Sequence, residues 1–259
     1  DTGWIQFYVS SNQEIYDTLI QAFKLAEQSD VLLPIMISHN AFILSHTSMP
    51  AEIPTQKEID DFLPPYKPTW KLDIDNPTTQ GNIIGTEHYE KIRKAMQDAQ
   101  MNAKKLIPSI AKDWEKRFGR THGGLLEYYQ CEDAEYILIA MGAIGAESKE
   151  AINNMRKEGI KIGLARLRVL RPFPSEEIIN LSKQAELIVI DRNISVGLGG
   201  AVFNEIKAAL YGQSDAKITG YIAGLGGKDV PYGDIETMCK KAIKGKAKQQ
   251  IWYGFEEEI

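Results

Sequence analysis

The strongest constraint on this chain is a rhythm that starts near Tyr128. "YILIAMG" reads as a strand, and "AESKEAINNMRKEG" reads as a helix with Gly159 as its C-terminal stop. The alternation then repeats. "IKIGLARLRVL" is a strand and "SEEIINLSKQA" a helix, with Ser175 as N-cap and glutamates in the first turn. "ELIVIDRN" leads through the glycine loop "SVGLGG" into "AVFNEIKAALYG". Last come the strand "AKITGYIAG", the loop "LGGKDV" and a helix near Asp234 to Lys244. Strand–helix units in series bury their apolar faces by forming a parallel sheet covered by helices, so the fold class is α/β.

The first half is less regular. Trp4 to Val9 reads as a strand, and Ser11 with Glu14 three residues later has capping-box spacing ahead of a helix through Ala26. "VLLPIMIS" is a buried strand, and Ser38 to Pro54 is a loop at its carboxyl end. Proline-rich, aperiodic sequence from Pro54 to Gly85 reads as an extended connector. Thr86 to Gly119 reads as one long helix with a break at Pro108, its apolar stripe marking core or interface. The tail "GKAKQQIWYGFEEEI" reads as a peripheral arm. The expected divisions are therefore 1–55, 56–127, 128–245 and 246–259.

Composition removes several function classes. A net charge of -5 gives no general attraction to nucleic acid or anionic membrane. No apolar run approaches the roughly 20 residues of a membrane helix, and no signal peptide is visible, so the expected location is cytoplasmic. Cys131 and Cys239 are too few and too far apart for an iron–sulfur cluster or a structural zinc site. Any electrons handled by this protein must travel through another subunit.

Few stretches carry chemistry of their own. "VGLGG" follows a strand, but Val202 stands where a dinucleotide fingerprint needs its third glycine, and no acidic ribose ligand follows at the end of a second strand. Gly197, Gly199 and Gly200 therefore read as a tight turn, with an anion at the helix N-terminus or a subunit interface as the alternatives. Lys228 in "LGGKDV" has the same readings, with its charge available to an anion or a partner. His39 and His46 lack a third ligand at a familiar spacing, so no metal site is expected. Arg166 and Arg168 share a face of an extended chain, either to grip an anionic ligand or to tie the strand to a neighbour.

Read in order, "DTGWIQFYVSSNQEIYDTLIQAFKLAE", "LSHTSMPAEIP", "GTEHYEKIRKAM", "RPFPSEEI", "DRNISVGLGG", "KAALYG" and "AGLGGKDV" resemble the alpha subunits of the pyruvate:ferredoxin oxidoreductases (pyruvate synthases). These belong to the thiamine-diphosphate-dependent 2-oxoacid:ferredoxin oxidoreductases, and the resemblance covers essentially the whole chain. It implies the C-terminal part of a pyrimidine-type thiamine-diphosphate domain over 1–55, followed by a transketolase C-terminal-like domain with a mainly parallel sheet over 128–245. The implied reaction is oxidative decarboxylation of pyruvate, in which CO2 leaves, the acyl group passes to coenzyme A and electrons pass to ferredoxin. Thiamine diphosphate and Mg2+ would be shared with a beta subunit, which holds the diphosphate and metal. Gamma- and delta-type subunits would complete the complex, with the iron–sulfur clusters on other subunits and none in this chain.

The resemblance places Asn40, Phe42 and His46 on a loop near the thiamine site, and gives Arg171 an inter-domain role. Where relatives often read D-G-F, this chain has Asn40-Ala41-Phe42. Family members carry more chain ahead of "DTGW", including the glutamate that activates the aminopyrimidine. The chain is therefore expected to be a truncated or split alpha subunit whose catalytic residues lie upstream of Asp1. Alternative readings are a paralogue for another 2-oxoacid, such as oxalate or a branched-chain acid, and a non-catalytic scaffold subunit.

Overall fold

The computed structural model describes residues 2–245 and 250–255. The chain builds β1 (Ile5–Tyr8), α1 (Asn12–Ala26), β2 (Ile35–Ser38), α2 (Gln56–Phe62) and α3 (Thr86–Phe118). It continues with β3 (Leu126–Tyr129), β4 (Tyr136–Met141), α4 (Gly142–Lys157), β5 (Ile162–Leu167), β6 (Val169–Arg171) and α5 (Ser175–Ser182). The last elements are β7 (Glu186–Asp191), α6 (Ala201–Leu210), β8 (Ile218–Ile222), α7 (Tyr232–Ile243) and β9 (Gln250–Trp252).

Two sheets result. The larger has the order β3-β5-β4-β7-β8-β9 and is parallel except for β3, which runs antiparallel to β5 at one edge. Apolar side chains fill both of its faces, as a helix-covered parallel sheet requires. Ile144, Ile152, Ile235 and Met238 of α4 and α7 pack on one face, and Ile178, Leu181, Phe203 and Ile206 of α5 and α6 on the other. The smaller sheet has the order β2-β1-β6 and rests on α1 and α3 through Ile5, Phe7, Ile107 and Trp114.

One segment joins the sheets. "IKIGLARLRVL" is not a single strand: β5 ends at Leu167, and β6 begins at Val169 antiparallel to β1, with Val169 opposite Phe7. Arg168 is the hinge between them. Its carbonyl accepts from Tyr8 N at 2.7 Å, and its own N–H donates to Leu125 O at 3.1 Å. The stretch expected within the second unit thus contributes a strand to the first.

Other expectations need correction. The connector holds the short helix α2, started by a complete capping box between Thr55 and Glu58 and anchored by buried Phe62. Helix α3 runs unbroken past Pro108, because Ile107, Ile110 and Trp114 are buried around the proline and hold the helix through it. Ser175 is the first residue of α5 rather than its cap; Pro174 precedes it and no side chain caps that end. Within the arm, Gln250–Trp252 pairs with β8 as an edge strand, while residues 246–249 and 256–259 lie outside the described residues.

Candidate functional site

In the larger sheet β4 and β7 lie side by side, and the chain leaves them in opposite directions. After β4 it returns through α4 to β5, and after β7 it passes through α6 to β8. Such a reversal opens a crevice beyond the carboxyl ends of the two strands, the usual place for a ligand in an open α/β sheet. A cavity of about 410 Å³ occupies that place. Ala143 and Glu147 of α4 line it, with Arg192 after β7 and Asp229 after β8, while Ser10 and Ile43 from the loops of the smaller sheet close it over.

The loop after β2 presents the residues expected near a cofactor. Phe42 has φ +61, a conformation unusual for a bulky residue, and holds its ring about three-quarters exposed. His46 stacks on that ring with centroids 4.7 Å apart, and its Nδ1 lies 2.7 Å from Ser45 Oγ. Asn40 does something else. Its Oδ1 accepts from Ala143 N at 2.8 Å, so it caps the first turn of α4 across the boundary between the sheets. At its far end the loop is fixed to α1: Asn12 Nδ2 donates to Thr47 O at 2.8 Å, and the Gln13 amide bonds both Glu52 N and Glu52 O.

The glycine loop is the tight turn that "SVGLGG" suggests. Ser195 and Gly199 exchange backbone bonds, and both Gly197 and Gly199 have positive φ. Its helix N-terminus is not free to meet an external anion. Asp191 accepts from Val202 N at 3.0 Å and Phe203 N at 2.9 Å, and Asn193 Oδ1 accepts from Ala201 N at 3.0 Å. The protein's own carboxylate fills that role. Burial pushes Asp191 up to about 6 despite those amide bonds. A Cβ at Gly200 would lie 2.2 Å from Asp191 Oδ2, so glycine is needed for the carboxylate to approach.

Lys228 is exposed on the loop that also supplies Asp229, next to the turn at Gly254. Arg171 lies elsewhere. In β6 it stands opposite Gln6, near the opposite end of the smaller sheet from the Phe42 loop, and its guanidinium binds Glu205 of α6 and Leu170 O. Asn40, Phe42 and His46 thus follow the carboxyl end of β2, the glycine loop that of β7 and Lys228 that of β8, whereas Arg171 lies toward the other end of the smaller sheet.

Sequence reasoning missed the cluster behind the loop. Glu14 Oε1 accepts from Arg166 Nη2 at 2.9 Å and from Arg168 Nε at 3.0 Å, with all three side chains buried. Arg166 also binds Glu127, Tyr8 O and His122 O. Arg168 uses its remaining N–H groups on Gly123 O, Gly124 O, Thr18 Oγ1 and Gln21 Oε1. These arginines tie strands to neighbours, and both are buried away from solvent. Burial opposes ionisation of Glu14, but Arg166 and Arg168 outweigh it and hold its carboxyl below the usual carboxylate range.

The stacked Phe42 and His46 rings fit contact with one face of an aromatic heterocycle. Among the described residues no group of three or more His, Cys, Asp or Glu side chains is placed to hold a metal ion. No helix among them is long and apolar enough to cross a membrane.

Comparison with known proteins gives a consistent set of relatives. Residues 1–112 match the family model described as pyruvate flavodoxin/ferredoxin oxidoreductase, thiamine diphosphate-binding, and residues 134–235 match pyruvate:ferredoxin oxidoreductase core domain II. Pyruvate synthase subunit PorA of Pyrococcus abyssi is 42% identical over 100% of this chain and 67% of its own length. The same subunit of Methanothermobacter thermautotrophicus is 38% identical over 100% of this chain and 66% of its own. Ketoisovalerate oxidoreductase subunit VorA of Pyrococcus horikoshii is 41% identical over 98% of this chain and 66% of its own. The chain thus spans about two thirds of the length of these relatives. Among solved structures, 2-oxoglutarate:ferredoxin oxidoreductase from Magnetococcus marinus shares the fold with a TM-score of 0.58 at 14% identity, over 93% of this chain and 42% of that one.

Proposed function

The chain belongs to the 2-oxoacid:ferredoxin oxidoreductase family, as an alpha-type subunit, and on that premise we propose that it serves oxidative decarboxylation of pyruvate in a hetero-oligomeric complex. The observation that carries this reading is continuous similarity to pyruvate synthase subunits along the whole chain. In the proposed reaction the 2-oxoacid loses CO2, coenzyme A takes the acyl group, and an electron pair passes to ferredoxin.

Thiamine diphosphate, when bound, supplies the electron sink that lets the carboxylate leave. This chain's part is to seat and orient it. Phe42 and His46 would hold its aminopyrimidine ring, with Ser45 Oγ 2.7 Å from His46 Nδ1 and the imidazole stacked on the phenylalanine. Mg2+ and the diphosphate would be held mainly by a beta-type subunit. The iron–sulfur clusters lie on partner subunits, for Cys131, in the loop between β3 and β4, and Cys239 of α7 are two separate thiols where a cluster usually takes four. Val196 and Leu198 stand exposed at the tip of the glycine loop and supply apolar contact to a partner, and exposed Lys228 on the loop after β8 serves the same role. The complex works in the cytoplasm.

A second reading concerns only the substrate. Similarity to ketoisovalerate oxidoreductase subunits nearly equals that to pyruvate synthase subunits, which keeps a branched-chain 2-oxoacid in view. The purified complex, supplied with thiamine diphosphate, Mg2+ and coenzyme A, should reduce a viologen dye with pyruvate faster than with 3-methyl-2-oxobutanoate or 2-oxoglutarate. A preference for the branched-chain acid would replace pyruvate; no reduction with any of them, clusters intact, would overturn the enzyme reading.

A further inference from the structure

Helix α4 begins at Gly142 with no cap of its own, because Met141 before it has no side-chain acceptor to offer. The missing acceptor arrives from the other sheet: Asn40 Oδ1, at the carboxyl end of β2, takes Ala143 N–H at 2.8 Å. Gly142 is shaped for this approach. It has φ +55, and a Cβ there would lie 2.5 Å from Asn40 Oδ1 and 3.8 Å from Val9 O. The ends of β1, β2 and β4 therefore converge on one contact. Asn40 O also accepts from Leu44 N at 3.2 Å, opening the turn that carries Phe42 and His46. Because the loop's far end is bonded to α1 through Asn12 and Gln13, Asn40 fixes its leading edge.

We propose that Asn40 is a positioning residue: as the N-cap of α4 supplied by the other sheet, it couples the loop bearing Phe42 and His46 to the wall of the crevice between β4 and β7. The activity consequence rests on the function proposed above; the coupling does not. Loss of the cap loosens both segments together, since each is the other's partner.

Hydrogen exchange on the purified complex tests the coupling. Asn40→Ala should speed amide exchange roughly fivefold or more in both 41–47 and 142–146, and Asn40→Asp, which keeps an acceptor at a helix N-terminus, should restore protection in both. Gly142→Ala, approaching the contact from the other side, should give the same paired change. In the activity assay, Asn40→Ala should lower kcat roughly tenfold while KM for the 2-oxoacid moves less than about twofold, with Asn40→Asp restoring kcat. Exchange that changes in only one segment, or an Asn40→Asp variant that behaves like Asn40→Ala, would overturn the proposal. If exchange is coupled as expected but the wild-type complex uses no 2-oxoacid, the coupling stands and the proposed function fails.

Discussion

The carboxylate of Glu14 and the guanidinium of Arg168 meet 3.0 Å apart, both sealed from solvent, although 154 residues separate them in the chain. Glu14 opens α1 beneath the smaller sheet, and Arg168 is the residue at which the chain passes from one sheet to the other. Arg166 binds the same carboxylate oxygen, and Glu127 on Arg166 supplies the second negative charge at the strand crossing. Removing a member of a buried charge group leaves its partners uncompensated. Glu14→Gln should therefore cost about 3–5 kcal/mol of stability in urea unfolding. Because the folded pKa of Glu14 is lowered, its contribution is complete above the unfolded value of 4.5 and is lost as pH falls through the lower folded value. A Glu14→Gln variant as stable as wild type at pH 7 would show that the cluster does not hold the crossing.

Asp191 should respond to pH with the opposite sign. Its folded pKa of about 6 lies above the unfolded value of 3.8, so between those limits the fold binds a proton that the unfolded chain releases. Stability from this group rises as pH falls from 6 to 4, by about 3 kcal/mol at most. Melting temperatures of wild type and Asp191→Asn should diverge in favour of wild type across that window. A constant difference from pH 7 to pH 4 would contradict the assignment.

The same carboxylate explains a glycine. Gly200→Ala places a methyl group 2.2 Å from Asp191 Oδ2, against a side chain fixed by two helix amides. Overpacking of this kind costs about 1–3 kcal/mol, read as a lower denaturation midpoint. Gly197→Ala meets no atom within 4 Å but carries the strain of a φ of +87, so its cost should come from the backbone alone and leave the Asp191 pH response unchanged.

We propose that Arg171 serves assembly rather than substrate. Its ion pair with Glu205 is partly exposed, so the pair itself contributes about 0–1 kcal/mol. Its position ties β6 to α6, linking the two sheets on the side away from the Phe42 loop. Arg171→Ala should lower the yield of assembled complex on size-exclusion chromatography while leaving KM for the 2-oxoacid within about twofold. Intact assembly with a large rise in KM would reverse that role.

The elements easiest to read in the sequence were those whose signal is local. The alternation from Tyr128 exposes the parallel sheet because each buried strand is a continuous apolar run. What could not be read was long-range. Ser11 and Glu14 have the spacing of a capping box, and Ser11 Oγ does accept from Glu14 N at 3.1 Å. The Glu14 carboxylate instead bonds Ser10 and the two arginines, partners that spacing along one helix cannot reveal. The break at Arg168 has no breaker residue; it arises because β1 and β3 compete for the same extended chain. The glycine loop reads as a tight turn, and the helix amides behind it are taken by Asp191, the last residue of the preceding strand. Asn40 stood in the expected loop, but its partner Ala143 lies 103 residues away, beyond the reach of any sequence pattern.

The most direct test of the proposed function is a product balance on the purified complex with pyruvate labelled at its carboxyl carbon. Labelled CO2, acetyl-CoA and dye-borne electron pairs should appear in equal amounts, and all three should depend on added thiamine diphosphate after the cofactor is stripped. CO2 released without electrons or acetyl-CoA, or no CO2 from any 2-oxoacid, would contradict it.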